Sequence, residues 1–146
     1  MITVAAQDPE SETIARRVYD LMITEQMLRT TTSDIVIDAG GGVLSLQGRV
    51  RTNNMHNLAK RLARGGLDGW QLEDRLVSDE AVAQAVAMRL ALDPRTTSAR
   101  VRCEVYLGIV HLKGSVASAA QRAAVIEITR ETPGVAGVQD LLSLAP

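Results

Sequence analysis

Two histidines, one cysteine and a short glycine run are the residues of this chain whose types could do chemistry. An imidazole moves protons or holds a metal, a thiolate attacks carbon or binds zinc, and consecutive glycine N–H groups cradle phosphate. Their spacing argues against each role. His56 and His111 have no metal-type spacing to Cys103 or to a pair of carboxylates. Cys103 has no second thiol to bridge and reads as a small core hydrophobe. Gly40-Gly41-Gly42 leads into a strand, whereas phosphate loops lead into a helix N-terminus, so a hairpin turn is the better reading. No Ser/His/Asp set, glycosidase-type carboxylate pair or Walker sequence stands out. The expectation is a protein that is no enzyme, with no catalytic residue, no metal and no cofactor.

Charge and aromatic content narrow the partners. The net charge is −1, and the aromatics are Tyr19, Trp70 and Tyr106 with no Phe. Base stacking needs several aromatic platforms, so nucleic acid is not an expected partner. From Ala39 to Leu67 there is no acid, while Arg49, Arg51, Lys60, Arg61 and Arg64 fall in that span. This is either a solvated helix face or a patch for anionic lipid or phosphate. The N-terminus has no basic start and no long apolar run, so no secretory signal is read in it. The expected location is cytoplasmic, or periplasmic if a signal has been removed.

The elements that must position these residues follow from periodicity. Asp8-Pro9 starts a helix, with Asp as cap and Pro at the first position. Ile14, Val18, Leu21 and Met22 give its apolar face, and it should fade near Met27. Ile35 and Ile37 alternate with polar neighbours, the glycine run turns, and Leu44, Leu46, Gly48 and Val50 share one side of a returning strand. Thr52 caps a second helix with Met55, Leu58, Ala59 and Leu62 inward, and Trp70 to Val77 closes with a third strand.

The same order then repeats. Gly42-Val43-Leu44-Ser45-Leu46-Gln47-Gly48-Arg49-Val50 returns 66 residues later as Gly108-Ile109-Val110-His111-Leu112-Lys113-Gly114-Ser115-Val116. Asp74 and Asp140, Leu76 and Leu142, and Arg64 and Arg130 match at the same offset. A fixed offset marks a duplicated module. The boundaries read as 8–77 and 78–146. Ser78 or Asp79 caps the next helix, Ser118 with Gln121 forms a capping box, and Thr132-Pro133-Gly134 ends the last helix. The expected fold class is α+β: each module is helix-strand-strand-helix-strand, a three-stranded mixed sheet covered on one face by two helices. Gly48 and Gly114, in mid-strand, read as places where a crossing helix approaches the sheet.

The second module resembles a BON domain. The features that carry the likeness are Asp79, Val82, Val86, Leu90, Asp93-Pro94, the Val101/Cys103/Val105 alternation, Gly108-x-Val110-x-Leu112-x-Gly114-x-Val116, and Gly134-Val135-x-x-Val138 with Leu142. The first module keeps Gly42, Leu44, Leu46, Gly48, Val50, Asp74 and Leu76 but replaces the Gly-Val-x-x-Val segment by Asp68-Gly69-Trp70-Gln71-Leu72. It resembles a diverged copy, so the chain resembles a tandem BON protein. The motif residues Gly42, Gly48, Gly108, Gly114 and Gly134 are framework.

The resemblance implies a bacterial, non-catalytic binding or adaptor protein, of the kind found among osmotic-shock stress proteins. Its foremost implication is phospholipid or an anionic membrane surface as partner, met by Arg49, Arg51, Lys60, Arg61 and Arg64. A second is protein–protein interaction or self-assembly. The helix from 81 to 92 has only Gln84 and Arg89 as polar residues, and a helix apolar all round needs cover on more than one side. Val82, Met88 and Leu92, with Trp70, are the residues expected at such an interface. A third implication is potassium binding, since one cytoplasmic relative is associated with that ion.

Overall fold

The computed structural model describes residues 1–145. They form two compact units, the first Met1–Ser78 and the second beginning at Asp79.

The first unit is built from β1 (Ile2–Ala6), α1 (Pro9–Ile23), α2 (Gln26–Thr30), β2 (Asp34–Gly40), β3 (Val43–Val50), α3 (Asn53–Gly65) and β4 (Gln71–Ser78). Asp8 caps α1 by accepting from the Ser11 N–H at 2.9 Å, and Thr52 caps α3 by accepting from Met55 at 3.1 Å. Ile35, Ile37, Leu44, Leu46 and Val50 from the sheet meet Ile14, Val18, Met22, Met55, Ala59 and Ala63 from the helices. Aliphatic side chains alone make this core, with Trp70 packed at its margin.

The second unit contains α4 (Asp79–Leu92), β5 (Arg100–Tyr106), β6 (Ile109–Val116), α5 (Ala119–Glu131) and β7 (Gly137–Leu144). Val82, Val86, Leu90, Val105, Val110, Leu112, Val116, Ala124, Val125, Ile128 and Leu142 are its buried apolar residues. In both units the hairpin is antiparallel and the third strand of the repeat lies parallel to the second: β2–β3 with β4, and β5–β6 with β7. Two α+β modules of the expected order are therefore present.

Several details differ from the sequence expectation. The first sheet has four strands in the order β1-β2-β3-β4, because β1 adds to β2 in parallel, Ile2 beside Ile35 and Val4 beside Ile37. The second has three, β5-β6-β7. The first helix stops at Ile23, and a separate short helix, α2, follows it. Trp70 precedes β4 rather than opening it.

The mid-strand glycines also have a different cause. Gly48 has φ +113° and Gly114 φ +118°. A Cβ on Gly48 would lie 1.8 Å from the Asp34 carbonyl oxygen, and one on Gly114 would lie 1.9 Å from that of Arg100. The obstruction is the neighbouring strand of the hairpin, not a crossing helix. Both hairpins close with two-residue turns at positive φ, Gly41-Gly42 and Leu107-Gly108, the turn whose twist matches that of the strands.

Candidate functional site

Several side chains whose chemistry would suit a functional site instead tie elements of the fold together. Asp79 is buried and is the first residue of α4. Its two carboxylate oxygens accept from the backbone N–H groups of Leu107 at 2.7 Å and Gly108 at 3.0 Å. The carboxylate thus holds the β5–β6 turn, including a leucine at φ +46°.

Asp74 and Asp140 play one role in the two units. Each accepts from a backbone N–H two residues on, Leu76 at 3.1 Å and Leu142 at 2.9 Å. The other oxygen meets a base on the preceding helix, His56 Nε2 at 2.8 Å or Arg122 Nε at 2.8 Å. Hydrogen bonds from Arg122 and from the Leu142 N–H hold the Asp140 carboxyl below the usual carboxylate range. His56 and Arg122 are themselves 66 residues apart. Each pair fastens a helix to the last strand of its repeat.

His111 lies on β6 opposite Glu104, on the sheet face turned away from the core. Cys103 is half-buried, and burial pushes its thiol upward, away from the reactive thiolate. Among the described residues, no three His, Cys, Asp or Glu gather in a way that could hold a metal ion. None of their helices is long and apolar enough to cross a membrane.

The five basic residues do not share one face. Arg49 alternates with the buried Leu46 and Val50 and so projects from the open side of the first sheet. Lys60 lies beside Asp74 at 3.9 Å. Arg61 and Arg64 stand exposed on α3, which is on the helical side. Arg51 sits in the turn between β3 and α3. Sequence proximity had grouped residues that the alternation of β3 and the turn into α3 separate.

The apolar helix is resolved into two faces. Val82, Val86 and Leu90 of α4 are buried in the second unit, whereas Met88 is 65% and Leu92 76% exposed. Ala81, Ala85, Met88 and Leu92 follow at spacings of four, three and four, which puts them on one stripe. Arg89 beside this stripe donates to the Glu131 carbonyl of α5. A shallow groove next to Leu92 is lined by Pro94, Ile128, Arg89, Arg95 and Glu131. Arg95 on its rim bonds Asp93 and Glu127, each at 3.1 Å. The open face of the second sheet adds exposed Tyr106, Ile109 and Leu141. Trp70, by contrast, is half-buried against the first core. Gly42 and Gly108 occupy turns, Gly48 and Gly114 face carbonyls, and Gly134 has φ +93° after α5: all five are places in the framework.

The BON domain model matches twice, at residues 10–76 and 78–146. This chain belongs to the BON-domain family. Nothing among curated proteins matches it. Two solved structures share the fold of this BON protein. One is CdsD, described as a structural protein of the type III secretion system of Chlamydia trachomatis, at 17% identity and TM-score 0.68. The other is the C-terminal domain of CdsD, at 14% identity and TM-score 0.69. Each likeness covers 92% of this chain, which spans 63% and 67% of those two chains. These likenesses show the fold; it is the family that points to a non-catalytic protein with a binding role.

Proposed function

We propose that this BON protein is an assembly module that joins protein chains, its own copies included, through the exposed stripe of α4. The observation that carries this reading is the exposure of Met88 and Leu92 on a helix whose other face is core. Two large apolar side chains one turn apart lose hydration when covered, at about 25 cal/mol per Å². The groove beside Leu92, with Ile128 and Pro94 in it and Arg89 and Glu131 around it, has the apolar centre and polar rim of a docking site. The description of the two structural relatives as parts of a secretion-system structural protein fits an assembly role.

Light scattering on the full chain over a concentration series tests this. The wild type should form oligomers, and Met88→Glu should reduce their size. Unchanged scattering in the variant would sink the reading.

A second reading is attachment to phospholipid at an anionic membrane surface. Its support is that Arg61 and Arg64 are exposed on a helix, Asn53–Gly65, that carries no acid. Co-sedimentation with anionic vesicles at low salt, where screening is weakest, should then depend on Arg61 and Arg64. No binding at low salt counts against it.

A further inference from the structure

The first sheet has a strand for which the repeat does not account. The two matched repeats begin at residues 10 and 78, and β1 lies ahead of the first of them, paired in parallel with β2. It moves the margin of that sheet from β2, which carries Asp34 and Asp38, out to Ile2-Thr3-Val4-Ala5-Ala6. Strands at a sheet margin are ordinarily kept from pairing with other chains by charge, proline or a covering element. β4 carries Glu73, Asp74 and Arg75, and β5 carries Arg100, Arg102 and Glu104. In β7, Asp140 takes the Leu142 N–H at 2.9 Å and Arg122 donates to the Leu142 carbonyl at 2.8 Å. β1 has no charge and no proline, and each of its residues is alanine or β-branched.

Which of its backbone groups face outward follows from the pairing with β2. The Ile35 N–H donates to the Met1 carbonyl at 2.9 Å, and Ile2 lies beside Ile35. In a parallel ladder that phase commits the N–H and C=O groups of Thr3 and Ala5 to β2 and turns those of Ile2, Val4 and Ala6 away from it. The side chains alternate as well. Ile2 and Val4 pack on the core, while Thr3 and Ala5 are exposed on the open face of the sheet. On the helical side, a groove of about 150 Å³ beside Ile2 is lined by Tyr19, Ile23 and Leu28.

We infer that β1 pairs with β1 of a second copy, antiparallel, about a two-fold axis through Val4. In this register Ile2 lies opposite Ala6 of the second copy and Val4 opposite its counterpart, so the outward groups of all three residues find partners. Moving the axis to Thr3 or to Ala5 carries one end of each strand past the other. A half-residue shift sets outward groups against groups already bonded to β2. Hydrogen-bond phase therefore selects the register, and the side chains agree with it. Ile2 meets the small Ala6 on the core side, two β-branched valines meet at the axis, and Thr3 meets Ala5 on the open face. A second copy is the occupant that fits: an uncharged edge gives a charged strand nothing to answer, and β1 itself brings the matching apolar row. The product joins two four-stranded sheets across β1 and, being isologous, closes at two copies.

The pairing uses different residues from the α4 stripe, so the test is made in the Met88→Glu chain, where the stripe is disabled. Sedimentation equilibrium of that full chain at low salt should show dimers. Thr3→Lys with Ala5→Lys, both at exposed positions, sets like charges opposite each other on both sides of the axis and should weaken the dimer about tenfold or more. Thr3→Lys with Ala5→Glu sets opposite charges there and should leave the dimer at least as tight, because an axis through Val4 puts residue 3 opposite residue 5. Ala6→Pro removes an N–H that faces away from β2 and should also weaken the dimer. Circular dichroism must show the variants folded; if Ala6→Pro is not, the two charge variants decide. A monomer at every concentration, a dimer indifferent to the like-charge variant or to a folded Ala6→Pro, or a dimer weakened equally by both charge variants overturns the proposal. Failure of the stripe reading shows instead as wild type and Met88→Glu scattering alike.

Discussion

Replacing Gly48 by alanine should undo the first unit by adding a single methyl group. The new Cβ would lie 1.8 Å from the Asp34 carbonyl oxygen and 2.9 Å from its carbon. A carbon and a carbonyl oxygen rest at about 3.3–3.6 Å. Either β2 withdraws from β3 by more than an ångström or residue 48 leaves its φ of +113°. Retaining a backbone suited only to glycine costs about 1–3 kcal/mol. Parting the strands loses ladder bonds at about 0.5–1.5 kcal/mol each. With two bonds lost, the total is about 2–6 kcal/mol. A unit of this length, Met1–Ser78, is worth roughly 4–12 kcal/mol, so much of its stability goes. Urea unfolding read by fluorescence is the assay. Trp70 is the single tryptophan and packs on the first core, so it reports that unit. Gly41→Ala is the control: at φ +58° with nothing within 4 Å, it should cost only about 1–2 kcal/mol. A Gly48→Ala protein that unfolds within about 1 kcal/mol of the wild type would refute the argument from the Asp34 carbonyl.

Three further outcomes are expected. Asp79→Ala leaves two turn N–H groups without their acceptor and should cost the second unit about 2–4 kcal/mol in urea unfolding followed by circular dichroism. Arg122→Ala removes a half-exposed tie to Asp140 and should cost about 0.5–1 kcal/mol in the same measurement. That tie also sets a pH dependence. Asp140 is held low by Arg122 and Leu142 in the folded chain, so its contribution is present above the unfolded carboxylate range and lost as pH falls through the lower folded value. The melting temperature should therefore drop below about pH 4, and the drop should be shallower in Arg122→Ala.

Which parts of the molecule were legible follows from where the physics is local. The 66-residue echo exposed both hairpins, because turn residues and alternating aliphatics encode them directly. It also contained the helix-to-strand ties: Asp74 and Asp140 matched, and so did His56 with Arg122, but a repeat shows only that positions correspond, not that they touch. β1 was missed because Ile2 and Val4 gain their meaning only from Ile35 and Ile37, far along the chain. Gly48 and Gly114 were seen as constrained, and the wrong neighbour was assigned, since a positive φ inside a strand leaves no mark beyond the glycine itself. Ser78 or Asp79 reads as a cap because caps are local, while the Asp79 carboxylate reaches across the unit to Leu107 and Gly108. The surface was legible in part. The apolar content of 81–92 marked α4 as special; only the fold could separate Val82, which is buried, from Met88 and Leu92, which are not. The basic residues ran together in sequence and parted in space because β3 alternates its side chains between two faces.

The claim that the second unit assembles chains is tested most directly by hydrogen–deuterium exchange of the full chain at low and high concentration. Assembly through this unit predicts slower exchange at high concentration in α4, with α3 unchanged. Identical exchange in α4 at every concentration would contradict it.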